Sequence, residues 1–312
     1  MRVPSPSALA CPANLKGVLS NVDAAAALCD GFTKTGVAAD ALPIADGGDG
    51  TIAALCAEVG HFGVHDAFGR PRSALVGRRG ETMVVEAAQV LPLDPARLDP
   101  ETASSRGLGE LLVGLRAPRL LEGLGGTGTM DGGSGLLEAL DELPAPTVVL
   151  CDVDTTYYEA PAVFGPQKGA SPEQVEALEE RFRSNARLAP FAAVPGSGAA
   201  GGLGAAFAAL GAELVPGAAS ILDLLGFDPA RYDVVVTGEG KVDATTAAGK
   251  APGVVAARCA AEETTCVVFG GIVDADVPGA ESAQLSGDPE RAANDLRDLG
   301  ARLGARLLDS AG

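Results

Sequence analysis

The chain contains no tryptophan, only nine phenylalanines and three tyrosines, and just two histidines in 312 residues. Its core must therefore be built from aliphatic and small residues packed closely. The histidines, His61 and His65, are four apart, a spacing that would suit a zinc pair on a helix. Gly60 and Gly63 oppose a helix there, and no third ligand lies nearby, so no zinc centre is expected. Nor do they enter a Ser-His-Asp or Cys-His pattern of the kind that activates a nucleophile. Positive charge is also scarce. Twenty-three lysines and arginines face 41 acids, for a formal net charge of −18. That balance excludes nonspecific binding to nucleic acid or to anionic membranes. An anionic substrate would be repelled at long range, so a phosphate site has to use local lysines, arginines, backbone amides or a metal ion. With so many carboxylates available, Mg²⁺ is the natural counter-ion.

Other absences narrow the class further. The six cysteines show no Cys-x-x-Cys spacing, which predicts reduced core thiols in a cytosolic protein and not a disulfide framework. The uncharged stretch Pro195–Ala212 is glycine-rich and too poor in large apolar residues for a membrane span. The N-terminal stretch to Cys11 faintly suggests a lipoprotein signal, but Pro4 and Pro6 break it. The expectation is a soluble, cytoplasmic protein, either monomer or homodimer, without nucleic-acid or membrane partners. Gly-x-x-x-x-Gly-Lys-Ser/Thr does not occur, and no Gly-x-Gly-x-x-Gly is followed by an acid at the end of a second strand. An ordinary P-loop or dinucleotide fold is thereby set aside.

Glycine is abundant, at 42 residues, and it is clustered. The run Gly123–Gly135 has seven glycines in thirteen residues, directly after the apolar stretch Leu120–Leu124 and before the helical pattern that ends at Leu140. A strand–glycine loop–helix unit can present N–H groups to a phosphate at the positive end of a helix. Asp131 within it could cap that helix or hold a metal, and the whole run could instead be a turn shaped only by close packing. Ala45-Asp-Gly-Gly-Asp-Gly-Thr51 has the same form, with Asp46 and Asp49 able to share Mg²⁺ or orient a hydroxyl, or with Asp49 simply capping a helix. Phe164-Gly-Pro-Gln-Lys-Gly-Ala170 fixes Lys168 in a rigid turn as a point charge suited to phosphate. Cys151-Asp-Val-Asp154 and Thr237-Gly-Glu-Gly-Lys-Val-Asp243 each end an apolar strand with acids, where open α/β sheets bind ligands. Asp152 could serve there as general base or metal ligand.

Short apolar runs alternate with helical patterns, the signature of α/β architecture. Strands are predicted at Leu75–Val76, Met83–Val85, Thr147–Asp152, Val234–Thr237 and Cys266–Gly270. Helices are predicted at Val22–Thr33, Thr51–Val59, Gly107–Leu115, Ser134–Leu140, Pro172–Ala189, Gly202–Leu210, Gly249–Ala261 and Pro289–Leu308. Ser171-Pro-Glu-Gln opens one of them with a cap residue, a first-turn proline and a capping-box partner.

Taken together, the segments Pro12–Ser20, Ala45–Thr51, Phe68-Gly-Arg-Pro71, Gly125–Gly133, Cys151-Asp-Val153, Val163–Ala170, Gly198–Gly202, Thr237–Thr246 and Gly249-Lys-Ala-Pro252 resemble the bacterial glycerate kinase family, in the family's order. That family phosphorylates D-glycerate with ATP, and Val-Phe-Gly-Pro-Gln-Lys-Gly-Ala is its most specific signature here. The resemblance implies two α/β domains with the active site in the cleft between them, one Rossmann/flavodoxin-like and the second inserted, at about 1–60 plus 230–312 and 61–229. It implies ATP and Mg²⁺ as cofactors and glycerate as the small-molecule substrate, with the 2-position favoured for phosphorylation. Under it, Asp152 becomes the general base, Lys16 and Lys168 neutralise phosphate, and Arg70 grips the glycerate carboxylate. Asp46, Glu239 and Asp243 organise substrate and metal, with Asp152 a further metal ligand. Gly125, Gly126, Thr127, Asp131, Gly132, Gly133 and Lys241 line the nucleotide. The chain departs from the family pattern at four places. Ala13, Asn14 and Leu15 stand where Asp-Ser-Phe is usual. Met130 replaces an asparagine. Glu86–Leu91 lacks Ala-Ser-Gly, and Asp154–Tyr158 replaces an Asn-Pro-Leu turn. These departures keep open a catalytically impaired or regulatory paralogue, or a kinase of another small hydroxy acid.

Overall fold

The computed structural model describes residues 6–247 and 249–311, so Met1–Ser5 of the N-terminal stretch lie outside it. Eleven strands are present among the described residues: β1 (Ser7–Ala10), β2 (Ala38–Ala41), β3 (Glu58–His65), β4 (Pro71–Arg79), β5 (Thr82–Glu86), β6 (Arg119–Gly123), β7 (Thr147–Cys151), β8 (Glu213–Pro216), β9 (Val234–Val242), β10 (Thr265–Val273) and β11 (Glu281–Gln284). They form two sheets, and the chain divides into two compact α/β units. One unit comprises the chain up to Ala45 and from Ile221 onward; the other is the single stretch Asp46–Ser220.

The first unit carries the sheet β11-β10-β9-β1-β2, parallel throughout. Numbered within the unit this is the order 5-4-3-1-2, the flavodoxin-like arrangement, which reverses direction between β1 and β9. The helix Asn21–Thr35 starts where the Ser20 hydroxyl accepts the Asp23 N–H, and it stops at Gly36 in the left-handed region. Its Ala24, Leu28 and Phe32 are buried, as are Leu296, Leu299 and Leu303 of the helix Ala292–Ala311. The two helices meet backbone to backbone. A Cβ on Gly31 would lie 2.2 Å from the Arg297 carbonyl oxygen, and one on Gly300 would lie 2.4 Å from that of Leu28. An aromatic-poor core is filled here by close approach and not by large side chains. β9 and β10 run about five and three residues beyond the apolar stretches that predicted them, because the pairing continues through Gly238 and Gly270 to the pairs Lys241 with Ile272 and Val242 with Val273.

In the second unit the order is β3-β4-β5-β6-β7-β8, antiparallel from β3 to β5 and parallel from β5 to β8. Its core packs Val85, Leu120 and Val149 of the sheet with Leu108, Leu112, Leu136 and Phe207 of the helices. Tyr157 is buried and stacks on Phe182 at 4.5 Å. The predicted helix Thr51–Val59 ends at Leu55, and Glu58–His65 is instead edge strand β3. The glycines that oppose a helix there allow the strand, whose Gly60, Phe62 and Val64 face inward between exposed neighbours, but a glycine on the inner side and Val59 on the outer one hide that alternation in the sequence. The predicted helix Pro172–Ala189 keeps its capping box, with Ser171 and Gln174 bonded reciprocally, and ends at Ser184. The segment leaves and returns at one place, since a Cβ on Gly217 would lie 2.0 Å from the Asp46 carbonyl oxygen. No helix among the described residues is long and apolar enough to cross a membrane. All six cysteines are free, four of them buried.

Candidate functional site

In the unit Asp46–Ser220, the carboxyl ends of β5, β6 and β7 lead into Glu86, the long glycine loop and Asp152. The Gly47–Gly48 turn lies directly against this loop. Gly125 donates its N–H to the Gly47 carbonyl at 3.1 Å, and Leu124 donates to Leu150. A Cβ on Gly125 would lie 2.6 Å from Gly48 Cα and 3.0 Å from Asp152 Oδ2. One on Gly48 would lie 3.3 Å from Asp46 Oδ1. The two half-buried carboxylates therefore border one backbone contact that only glycine permits. Asp46, Asp152 and Gly125, predicted from three separate motifs, come together here.

The helix Thr51–Leu55 is not capped by its N-cap residue, which is Gly50. Glu86 does that work from the end of β5, accepting the Ile52 N–H at 2.7 Å. Burial raises its carboxyl, against the lowering effect of the Ile52 N–H and Gln89 amide bonds.

Most of the glycine loop is tied down internally. Gly128 donates to Leu91 O, Gly132 to Gly201 O, and Gly133 and Gly135 to the Asp131 carboxylate. Asp131 also accepts the Ser105 N–H at 2.7 Å and its hydroxyl at 2.8 Å. It thus joins the starts of the helices Ser134–Ala139 and Arg106–Gly114, which is the capping alternative. Gly132 packs under Tyr157 and Phe182, and Gly133 under Ala206. Met130 is fully buried and faces Gly201, so its side chain belongs to the core. Its carbonyl accepts the Arg181 guanidinium. Gly126 is exposed with positive φ and accepts the Leu93 N–H, while Thr127 is bridged to Pro92 and has a buried hydroxyl with no hydrogen-bond partner.

Lys168 is 3% exposed, not a solvated point charge, and its Nζ donates to Thr129 O of the glycine loop at 2.9 Å. Burial pulls its pKa down to about 8, and the negative charges of Asp152 and Asp131 partly oppose that fall. Arg70 lies on the β3–β4 hairpin tip, at the same end of the sheet as Glu86, and is ion-paired to Asp66 at 2.6 Å. Beside it a cavity of about 550 Å³ is lined by Phe68, Arg97, Ser104 and Arg106 among others. Arg97, absent from the sequence reading, lies over the Phe68 ring at 4.0 Å.

The remaining predicted residues gather in the first unit, around the β1/β9 switch point. Ala13 donates its N–H to Gly238 O at 2.9 Å, which lays the loop after β1 along β9 and sets exposed Lys16 next to Gly240. Asn14 accepts the Asn21 N–H with its side chain, at a helix start. Glu239 accepts the Thr246 hydroxyl at 2.8 Å. Asp243 accepts the Thr245 hydroxyl and N–H, bonds that hold its carboxyl below the usual range, the hydroxyl most. Lys241 pairs with Asp274 at 2.9 Å. Lys250 lies 3.8 Å from Glu239 and 4.0 Å from Asp243 and binds the group together. Sequence reasoning did not single it out, although it sits in the quoted Gly249-Lys-Ala-Pro252 segment. Glu86 was likewise missed as a site residue. A buried acid ending a strand carries no signal when burial itself cannot be read.

Among the described residues no three acids, histidines or cysteines gather closely enough to hold a metal ion by themselves. Mg²⁺ usually takes only one or two carboxylates and completes its shell with water and phosphate oxygens. Asp46 and Asp152 fit that requirement. Asp243 fits it less well, with one oxygen already bonded twice.

A flavodoxin-like sheet, and a second sheet whose carboxyl ends collect paired carboxylates, a buried lysine and a glycine loop, define a two-domain α/β phosphate-handling protein. The chain belongs to the glycerate kinase family, whose model matches residues 8–143 and 144–288. It is 31% identical to the glycerate kinase of Bacillus subtilis, over 85% of each chain. It is 33% identical to the glycerate 2-kinase of Escherichia coli, over 77% of this chain and 78% of that one. A crystal structure from Salmonella typhimurium LT2 assigned as a glycerate kinase 2 superposes with a TM-score of 0.82 at 28% identity, covering 98% and 99% of the two chains.

Proposed function

We propose that this protein is a cytoplasmic kinase that transfers the γ-phosphoryl group of ATP to a hydroxyl of D-glycerate, giving 2-phosphoglycerate and ADP. The observation that carries the reading is the convergence of Asp152 and Asp46 on the Gly48–Gly125 contact, with Lys168 buried against the same loop. Phosphoryl transfer needs positioning and charge neutralisation more than covalent chemistry. Asp152 accepts the proton of the attacking hydroxyl, and Lys168 offsets negative charge on the transferred group at low dielectric cost. Gly126 and Thr127 approach the phosphates, Thr127 with an otherwise unpartnered hydroxyl. Arg70, shared with Asp66, or the neighbouring Arg97 takes the substrate carboxylate. In the other unit Lys16, Lys241, Glu239 and Asp243 serve the nucleotide. Bound Mg²⁺, held by Asp46 and Asp152, would neutralise phosphate oxygens.

The test is ADP release by purified protein with ATP, Mg²⁺ and a panel of hydroxy acids including D-glycerate. Glycerate should be turned over, and Asp152→Asn should lower the rate by about 10²–10⁴-fold without loss of fold. Turnover only on another hydroxy acid would move the substrate assignment. Ala13 favours a second reading, a kinase that has lost a working part. Its methyl group stands where a carboxylate is usual in the family, in the loop that reaches Lys16. On that reading the wild type is nearly silent and Ala13→Asp restores turnover.

A further inference from the structure

At the tip of the β4–β5 hairpin, in the unit Asp46–Ser220, lies a cavity of about 530 Å³ lined by Leu55, Ala57, Glu58, Arg78, Arg79 and Gly80. It is remote from the phosphate-handling residues. Those gather where β5, β6 and β7 end, whereas this cavity opens beside Thr82, where β5 begins. The length of β5, from Thr82 to Glu86, makes that separation about 13 Å. Backbone carbonyls hold both arginines in place. Arg78 donates its Nε to Gly80 O at 3.0 Å, and Arg79 donates Nη1 to Leu55 O at 3.1 Å. A guanidinium carries five N–H donors, so one carbonyl positions Arg78 and leaves most of its fork to give. The strand register sets a third arginine nearby. Arg79 of β4 pairs with Thr82 of β5, which pairs with Arg119 of β6. Directly paired residues share a face of the sheet, so Arg79 and Arg119 flank Thr82 with their Cα atoms about 10 Å apart. Among the described residues neither Arg78 nor Arg119 enters an ion pair, although Glu58 stands opposite Arg78 in the register. With Glu58 and the hairpin residue Glu81 as the only acids beside three arginines, the patch stays positive in a chain of net charge −18.

The donors decide the occupant. One guanidinium fork fills a carboxylate, whereas a phosphate group has oxygens left for further arginines that arrive from other directions. Arginines from neighbouring strands around one open cavity therefore suit a phosphate, and the volume leaves room for the small molecule that carries it. Arg79 also ties the cavity to the carboxylate site. The helix Thr51–Leu55 is pinned at both ends, by the Glu86 carboxylate on the Ile52 N–H and by Arg79 on the Leu55 carbonyl. The hydroxyl of its first residue, Thr51, donates to the carbonyl of Gly48, the glycine against which Gly125 packs. We infer that this cavity is an effector site for the phosphate group of a small metabolite, and that Arg79 carries its occupancy into the helix. A guanidinium held by a phosphate and by Leu55 O together is fixed more firmly than by the carbonyl alone, so occupancy tightens the end of the helix. The site stands whether or not the protein is a glycerate kinase.

Hydrogen exchange read by mass spectrometry on the full chain, with inorganic phosphate as probe, tells this cavity from the glycine loop by location. At tenfold excess over Kd, exchange in segments 51–58 and 76–82 should slow by about tenfold, whatever phosphate does at 123–130. Arg78→Ala and Arg119→Ala alter exposed side chains, so the fold should hold, and each should raise the Kd for that protection about tenfold. Protection confined to 123–130, or a Kd within twofold of wild type in both alanine variants, overturns the site and leaves the kinase reading standing. Succinate, which offers two carboxylates and no phosphate, should bind at least about tenfold more weakly. Equal protection by succinate overturns the choice of phosphate. Arg79→Lys keeps the charge but loses the fork that reaches two acceptors. In that variant phosphate should still protect 76–82 and leave 51–58 at its unliganded rate. Undiminished protection of 51–58 there overturns the link through Arg79.

Discussion

Lys168 illustrates how one residue's burial sets a pH range. A lysine held near 8 in the fold and near 10.5 when unfolded binds its proton less tightly in the native state. Between those values the unfolded chain carries more protons, so this residue's contribution to stability rises with pH from about 8 to 10.5. Catalysis runs the other way, because the useful form is the cation. The kcat/KM of the wild type should fall as pH rises through about 8, and Lys168→Arg should remove that limb. A profile flat from pH 7 to 9.5 would separate Lys168 from the transferred phosphate. Glu122 presents the opposite case. It is fully buried on β6 with neither carboxyl oxygen bonded, and burial, reinforced by Glu86, pushes its carboxyl well above the usual range. Here the folded state holds the proton more tightly, so stability present below about 4.5 is lost as pH rises. Replacing it by leucine removes a buried unsatisfied group, for a gain of about 1–3 kcal/mol. Thermal melts of Glu122→Leu should show a higher midpoint at pH 8, and an unchanged or lower one would mean the carboxyl has an undetected role.

At the scale of elements, the glycine loop does more than its composition implied. Seven glycines in thirteen residues pointed to N–H groups converging on an anion, yet several of those groups are spent on Gly47, Leu91, Gly201 and Asp131. Most of the glycines serve packing, and of the seven only Gly126 is exposed. Gly125→Ala tests this, since its methyl would meet Gly48 Cα at 2.6 Å and force the Asp46 and Asp152 loops apart. The variant should lose at least about 1–3 kcal/mol of stability by overpacking, along with most activity. A melt within a degree of wild type would show the contact to be soft. The same elements mark the limit of legibility. Strands with a single apolar core run (β5, β7, β9, β10) and helices with caps could be read directly, because period and punctuation are local. Edge strands β2, β8 and β11 have mostly exposed or half-buried residues, and β3 alternates in burial but with Gly60 inside and Val59 outside, so no apolar alternation announces them. Asp46, Asp152 and Lys168 were recognisable from motif residues beside glycines. Glu86, Lys250 and Arg97 became visible only in three dimensions, since their significance lies in what they touch.

For the whole molecule, the governing quantity is charge. Two aliphatic cores carry the two units, so their division follows chain topology, with both ends of the first sheet's unit supplied by the termini. Neither core depends on the surface, which is free to be strongly acidic. A net charge of −18 repels ATP and glycerate before either meets a lysine. Raising ionic strength from 0.01 M to 0.15 M shortens the screening length from about 30 Å to about 8 Å, which removes most of that long-range repulsion. Contacts within the buried site are screened far less. Enzymes whose field attracts substrate slow down as salt is added. This one should do the reverse, with kcat/KM for nucleotide rising severalfold across that range while kcat changes little. Stopped-flow binding of a fluorescent nucleotide at three salt concentrations reads the association rate directly. A rate that falls with salt would mean that the local field of Lys16, Lys241 and Lys250 outweighs the charge of the whole chain.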